Sequence, residues 1–458
     1  MQSLLKIGQE MKAISLLVVC GLLVGTIVGS GARHSETTQY WPAWRGPLAT
    51  GVAPEADPPL EWSETTNIRW KVEIPGRGSG SPIIWENRLY LLTAVSVGEA
   101  DSTAAPPLAS AGRYGRWRRG PSPVLLTHQF KLIAYDRADG RVVWERVARE
   151  EAPHEPAHPQ NGTWASSSAA TDGKHLYAYF GSRGLYCYTL DGELVWERDF
   201  GQKQMRNHFG EGTTPVLHGN TIVVVWDHQG DSFVFALDKR TGNERWRAPR
   251  DEIDTWATPV IVEHRGRHQV VIGAMDRVVS YDLETGEIVW ESDGLTMNPI
   301  PSPVAADGFV YLTSGYRGND LKAVRLSDAS GDITGTAAIV WSLDRDTPYV
   351  PSPLLYDDTL YIIKSNSGIL SAFEAKTGAP YYQTQRLRGV PNVFASPVGA
   401  AGRVYITGRD GATVVIRHGS TFEVLVTNTL DDGFDASPAI VDGEIYLRGK
   451  RYLYSIGK

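Results

Sequence analysis

The sequence predicts an all-β chain, an eight-bladed β-propeller of four-stranded antiparallel blades in which an N-terminal strand closes the C-terminal blade. Three observations lead there. An eleven-residue hairpin motif recurs along the chain, a second, dipeptide signal recurs eight times, and the two chain ends each carry the part of a blade that the other lacks. The motif is clearest in Ser280 to Trp290, SYDLETGEIVW. Each half alternates apolar and polar residues, the period of a half-buried strand, and Thr285-Gly286 supplies the tight reversal between them. It returns as AYDRADGRVVW (Ala134 to Trp144), CYTLDGELVW (Cys187 to Trp196), ALDKRTGNERW (Ala236 to Trp246) and, loosened, AFEAKTGAPYY (Ala372 to Tyr382). A further degenerate copy ends at Trp341 after a longer turn through Gly331 and Gly335.

The dipeptide counts the blades. Ser81-Pro82, Thr214-Pro215, Thr258-Pro259, Ser302-Pro303, Ser352-Pro353, Ser396-Pro397 and Ser437-Pro438 each precede an apolar run, and Ser167-Ser168 holds the equivalent place after Trp164. From Pro215 to Pro438 successive prolines fall 41 to 50 residues apart, the span of a four-stranded propeller blade. Proline is tolerated at the first residue of a strand because no ladder donor is needed there. The long interval from Pro82 to Ser168 contains residues 95–127, rich in Ala, Ser, Pro and Arg, which reads as a loop inserted between strands of the first blade.

The ends complete the count. Ile68 to Ile74, IRWKVEI, alternates like a strand and carries Trp70 where the repeats carry their terminal Trp, but its first three strands are missing. Ala436 to Ile456 supplies strands and stops before any terminal Trp. Unpaired strand edges invite aggregation, so the N-terminal strand is expected to finish the C-terminal blade.

Residues 1–32 read as a secretory signal peptide: Lys12, an apolar run, then Ser30 and Ala32 at the minus-three and minus-one positions of a cleavage site. The alternative is an uncleaved anchor in the inner membrane, with the propeller facing the periplasm, since Ala13 to Val28 approaches the ~20 residues that span a bilayer. Met11 makes a better start for such a signal than Met1. Val19 is too large for a lipoprotein site at Cys20. Residues 33–66, Pro-rich and without periodicity, read as an extended strap ahead of the propeller at 67–458.

Composition restricts the partners. The 45 basic and 52 acidic residues leave a formal charge of −7, a field that repels nucleic acid and anionic membranes. A protein or an extended ligand on a propeller face is the expected partner, with membrane contact only through an uncleaved N-terminal segment. Cys20 and Cys187 are the only cysteines, so the mature chain has no disulfide framework, and Cys187 in the strand LYCYTL reads as a core thiol. Gly76 to Gly80, GRGSG, resembles a phosphate loop but leads into a strand rather than a helix N-terminus. Asn161-Gly162-Thr163 is a glycosylation sequon without meaning in a bacterial-looking chain.

The pattern A-x-D-x-x-T-G-x-x-x-W behind a Ser-Pro strand resembles the pyrroloquinoline-quinone-like (PQQ-like) repeat, found in quinoprotein dehydrogenases and in BamB-type outer-membrane assembly lipoproteins; the resemblance covers roughly Ile68 to Ile456. It implies the propeller fold and an exported, periplasmic protein of one of two kinds. The first is a non-enzymatic binding scaffold, BamB-like. The second is an alcohol or sugar dehydrogenase using PQQ and calcium, with an aromatic under the quinone, a calcium ion on Glu, Asn and Asp oxygens, and an Asp base. The residues just before the Ser-Pro signals are Trp164, Glu211, Trp256, Asn298, Tyr349, Phe394 and Asp435. Among them Glu211, Asn298 and Asp435 are of the types that ligate a hard cation, Trp256 of the type that stacks, and Asp435 or Glu211 would be the base. The alternative is that they are the polar channel lining any propeller has. The chain lacks the adjacent cysteines of many such dehydrogenases and any CxxCH haem site. A second cluster, His154, His158, His208, Glu211, Asp227 and His228, has imidazoles and carboxylates suited to zinc or iron, against the alternative of ordinary surface histidines.

Overall fold

The computed structural model describes residues 38–97, 125–158 and 160–458; the signal segment and most of the inserted loop fall outside them. Its strands form eight antiparallel sheets in sequence order, joined only by single 3-10 turns and loops. Blade 1 runs Ile83–Trp85, Arg88–Ser96, His128–Asp136 and Val142–Glu151, and the predicted insertion falls between its second and third strands. Blade 8 is Ala439–Val441, Glu444–Arg448 and Tyr452–Ile456 with Ile68–Glu73 as its outer strand, Lys71 facing Tyr454 and Val72 facing Leu453. The ends of the chain therefore share a sheet, as the two half-blades in the sequence required.

The repeat motif explains how neighbouring blades interlock. Its first residue and its Trp face each other across the hairpin: Ala134 pairs with Trp144, Cys187 with Trp196, Ala236 with Trp246. A small side chain there leaves room for the indole. The motif Asp folds the turn by accepting backbone N–H groups, as Asp282 does from Glu284 and Thr285, both at 2.9 Å. Each indole then lies on the turn glycine of the next blade and donates to a carbonyl of that turn. Trp70 reaches Arg137, Trp144 Leu190, Trp196 Lys239, Trp246 Leu283 and Trp341 Ala375, at 2.8–3.1 Å. At Gly286 an added Cβ would meet the Trp246 ring at 2.6 Å, and φ there is +75°, so both space and conformation demand glycine.

Trp290 departs from this. Its indole donates to Gln269 within its own blade and is fully buried. The longer turn through Gly331 and Gly335 supplies the reason: Gly331–Asp332 leaves blade 5 and pairs in parallel with Ile288–Asp293, giving blade 4 a fifth strand that covers Trp290. The alternation of apolar residues carried no signal for so short a strand.

The Ser/Thr of the dipeptide has a role beyond tolerating proline. Its hydroxyl accepts the backbone N–H of the corresponding residue in the preceding blade: Ser81 to Ser168, Ser168 to Thr214, Thr214 to Thr258, Thr258 to Ser302, Ser302 to Ser352, Ser352 to Ser396 and Ser396 to Ser437, at 2.8–3.2 Å. A circlet of hydroxyls thus runs around the channel through seven junctions. At the eighth, between blades 8 and 1, buried Arg448 donates to the carbonyls of Gly80 and Leu92 at 3.0 and 2.7 Å, and Arg137 reaches Asp442, Glu444 and Tyr446.

The strap crosses the end of the ring on the far side of these hydroxyls. Its backbone bonds in turn to blades 1, 2, 6, 7 and 8 through Ile84, Thr171, Leu355, Gly399 and Asp442. Arg45, 3% exposed, donates to the carbonyls of Thr50, Pro353 and Pro397. Among the described residues no helix is long and apolar enough to cross a membrane.

Two outcomes follow. Deleting Asn67–Ile74 exposes the edge of blade 8 and removes Trp70, so the chain elutes as soluble aggregate on size exclusion; a monomer that melts cooperatively would overturn the closure. Thr258→Val keeps the shape but orphans the N–H of Thr214, costing about 1–3 kcal/mol. A urea midpoint within about 0.5 kcal/mol of wild type would show that the hydroxyl circlet carries no such weight.

Candidate functional site: a cup on the channel axis

Because the hydroxyl circlet fixes where each inner strand begins, the residues just upstream of it converge on one side. They wall a cavity of about 270 Å³, whose lining includes Glu211, Trp256, Asn298, Tyr349, Phe394 and Asp435, with the hydroxyls of Ser81, Ser168, Thr214 and Thr258 deeper in and Trp44 of the strap as floor. Six of the seven channel residues expected from sequence thus share one cup. Trp164 does not: its indole donates to the Glu155 carbonyl, its ring lies 4.4 Å from that of His128, and it lines a separate small cavity of about 20 Å³.

The three oxygen-bearing groups are already engaged. Glu211 accepts from the Ser182 N–H at 2.8 Å, the Ser182 hydroxyl at 2.7 Å and Arg183 Nη1 at 3.3 Å. Asn298 Oδ1 accepts from Arg206 Nη1 at 3.3 Å. Asp435 is held by Arg409 through both carboxylate oxygens, at 2.5 and 3.0 Å, and the same guanidinium lies 3.8 Å from the centre of the Phe394 ring. Arg409 also donates to Asn161 and to the Gln160 carbonyl. It thereby ties the loop between blades 1 and 2, which brings His158 and Asn161 to the cup wall, to blade 7. The aromatic side of the mouth is continuous: His158 lies 5.7 Å from Phe209, and Phe209 lies 6.3 Å from Trp256.

The second cluster is not brought together. His154 sits between Lys203, whose carbonyl its Nε2 contacts at 2.6 Å, and Arg183, whose Nη2 approaches its Nδ1 at 2.9 Å. A carbonyl only accepts, so Nε2 carries the proton and Nδ1 accepts. His228 Nδ1 accepts from Gly230 and Gln204 backbone groups, and burial lowers its pKa. Asp227 forms a fully buried two-pronged pair with Arg250 at 2.8 and 3.1 Å. His208 lies 3.7 Å from Glu155, and His158 is at the cup wall. Among the described residues no three His, Cys, Asp or Glu side chains are grouped to hold a metal ion. Cys187 is fully buried, and burial pushes its thiol up to about 12, in keeping with a core role.

Sequence reasoning missed the arginines. Arg183, Arg206 and Arg409 stand in loops or single turns with no repeat to mark them, and each reaches the cup from a different part of the ring. Arg183 is buried, its pKa lowered first by burial despite Glu211 and Glu151 nearby. Arg206 also contacts Asp254 at 2.9 Å, too far off line for a hydrogen bond. Burial dominates there, and the Asp254 carboxyl is pushed up to about 6.

A family profile described as outer membrane protein assembly factor BamB matches residues 128–381 and again 230–456. The chain belongs to that family of PQQ-like β-propellers. Among solved structures this PQQ-like propeller resembles BamB from Moraxella catarrhalis, with a TM-score of 0.51 and 13% identity over 71% of this chain and 93% of that one. It also resembles the quinohemoprotein alcohol dehydrogenase from Comamonas testosteroni, with a TM-score of 0.60 and 11% identity over 94% of this chain and 83% of that one. At such identities the likeness is one of fold. A curated relative, tetrathionate hydrolase from Acidithiobacillus ferrooxidans, is 23% identical over 51% of this chain and 48% of its own. The chain spans less than half the length of the curated relatives it matches.

The raised Asp254 pKa has a sign that can be measured. An ordinary aspartate titrates near 3.9, so between about pH 4 and about 6 the native carboxyl retains a proton that the unfolded chain has lost, and stability falls as pH rises through that window. Asp254→Asn has no proton to lose. Its melting temperature relative to wild type should climb between about pH 4 and about 6 and level off above, whereas a difference flat across the window would contradict the assignment.

Proposed function

We propose that the protein is an exported, non-enzymatic binding propeller whose cup receives a segment of a partner protein of the bacterial envelope. The observation that carries this reading is the prior engagement of Glu211, Asn298 and Asp435 by Arg183, Arg206 and Arg409. A calcium ion needs several oxygens free to converge on it. Here each candidate oxygen faces a guanidinium that would be left buried or half-buried beside the cation, so the donor set fits calcium poorly. What is left for a ligand is an aromatic arc, Phe209, Trp256 and Tyr349, with hydroxyls and the amides of Asn161 and Asn366 between. Flat apolar faces interspersed with neutral donors and acceptors suit peptide backbone and side chains better than a highly charged cofactor. The apolar run before Ser30 and Ala32 supports export, and the match to the BamB profile supports the envelope setting.

A second reading has its own observation. Glu211, Asn298 and Asp435 line one cavity together with Trp256, which is the grouping that a PQQ- and calcium-dependent alcohol or sugar dehydrogenase would use.

One pair of experiments separates them. A photo-crosslinking residue at Tyr349 is expected to join outer-membrane assembly proteins in cells, and Trp256→Ala with Phe394→Ala to reduce that yield at least about fivefold, the effect of losing aromatic anchors. Titrating the purified protein with PQQ and calcium is expected to give no saturable spectral change. Saturation with dye reduction in the presence of alcohols would replace the scaffold reading by the dehydrogenase one.

A further inference from the structure

Beside the cup, and sharing Ser79, Asn161 and Asp435 with it, lies a more open cavity of about 500 Å³ between blades 7, 8 and 1. Its lining differs in kind. Arg77, Arg448 and Lys450 line it, along with Arg409, which is already neutralised by Asp435, and the only remaining acid is Asp410. In a chain of net charge −7 this is a local excess of two positive charges.

Arg448 is the decisive residue. It is 2% exposed. Among the described residues only its Nη1 is bonded, to the carbonyls of Gly80 and Leu92, and its buried Nε has no hydrogen-bond partner. No carboxylate of the described residues lies within ion-pair distance of it. A buried guanidinium that meets only carbonyl dipoles is costly unless an anion completes it. The GRGSG stretch makes room for this group: a Cβ on Gly78 would fall 2.2 Å from Arg448 Nη2, so the glycine that superficially suggests a phosphate loop provides a berth for the arginine fork. Asn392, on the same wall, has a buried side-chain oxygen with no partner. Half a turn of that amide presents N–H donors in its place.

We infer that this cavity is an anion site, in which Arg448, backed by Arg77 and Lys450, binds a phosphate or other tetrahedral oxyanion. The unpartnered side of the Arg448 guanidinium supplies positive charge and unused N–H donors at the inner wall, and the exposed side chains of Arg77 and Lys450 can close on the oxyanion oxygens from outside. The inference is independent of the function proposed for the cup, because no aromatic residue of the cup takes part.

Isothermal titration of the full chain with inorganic phosphate, at constant ionic strength set with chloride, is expected to show one saturable site. In Arg77→Gln/Lys450→Gln, whose side chains are at the surface and whose loss leaves the fold intact, affinity should fall at least about fivefold, the scale of removing two partly screened charges. Arg448→Gln should abolish binding if it melts cooperatively. Should it fail to fold, the double variant alone decides. Heats equal to those of added chloride, or equal affinity in the double variant and wild type, would overturn the inference. If the phosphate headgroup of a lipid is the physiological source, vesicles of anionic phospholipid compete with inorganic phosphate, whereas neutral vesicles do not. Absence of that competition leaves free phosphate as the source.

Discussion

Inner strands of this ring are preceded by a Ser or Thr whose backbone N–H, at seven of the eight junctions, bonds to a hydroxyl of the next blade and not to a strand. That donor is the constraint from which much else follows. An unpaired buried amide costs about 1–3 kcal/mol. A hydroxyl from the adjacent blade resolves the difficulty with one short side chain, and the solution repeats at seven junctions. The same bonds fix each strand start relative to its neighbour. The residues upstream of each start are then forced into a common circle, which is why a cup exists at all and why six residues scattered over more than two hundred positions of sequence line it together.

The junction between blades 8 and 1 is built differently, and the difference is informative. There the chain ends meet inside blade 8: the hairpin that joins the last two strands of other blades is replaced by pairing between Tyr452–Ile456 and Ile68–Glu73, and Ile68–Glu73 then runs on into blade 1. In place of the hydroxyl-to-amide bond stand Arg448, which clamps two carbonyls of blade 1, and Arg137, which extends from the blade 1 turn to three side chains of blade 8. Guanidinium groups span longer gaps than a serine and tolerate a less regular register. The buried one leaves an uncompensated charge, and the anion site is the consequence.

The fold was legible in the sequence because its determinants are local and repeated. Ala236, Asp238, Gly242 and Trp246 act within one hairpin and its neighbour, so their spacing survives as a motif, and Ile68–Ile74 reads as a severed blade strand by the same logic. Trp290 shows where that legibility stops: its partner changes because a two-residue strand from a distant turn covers it, and two residues have no periodicity to detect. The cup was legible in part. Position relative to the dipeptide located Glu211, Asn298 and Asp435, since strand starts converge in any ring. Their chemical state was not legible, because it is set by Arg183, Arg206 and Arg409, which arrive from loops whose course depends on tertiary contacts.

The state of those arginines also bears on how one fold is shared by proteins as different as BamB and the quinohemoprotein dehydrogenases. The hydroxyl circlet and the Trp-on-glycine contacts lie in the body of the ring and are indifferent to what the mouth binds, so they can persist while the mouth changes. A carboxylate at the mouth is a cation ligand when its oxygens are free and a wall element when a guanidinium holds them. In this chain Arg409 does more than neutralise Asp435: it lies on Phe394 and holds the loop carrying Asn161. A cation that took Asp435 would therefore have to displace the arginine from an aromatic face and release the loop, three interactions broken for one formed. Engagement of that kind makes Asp435 part of the cup wall, and it leaves Arg448, which has no carboxylate partner among the described residues, as the uncompensated charge of the neighbouring cavity.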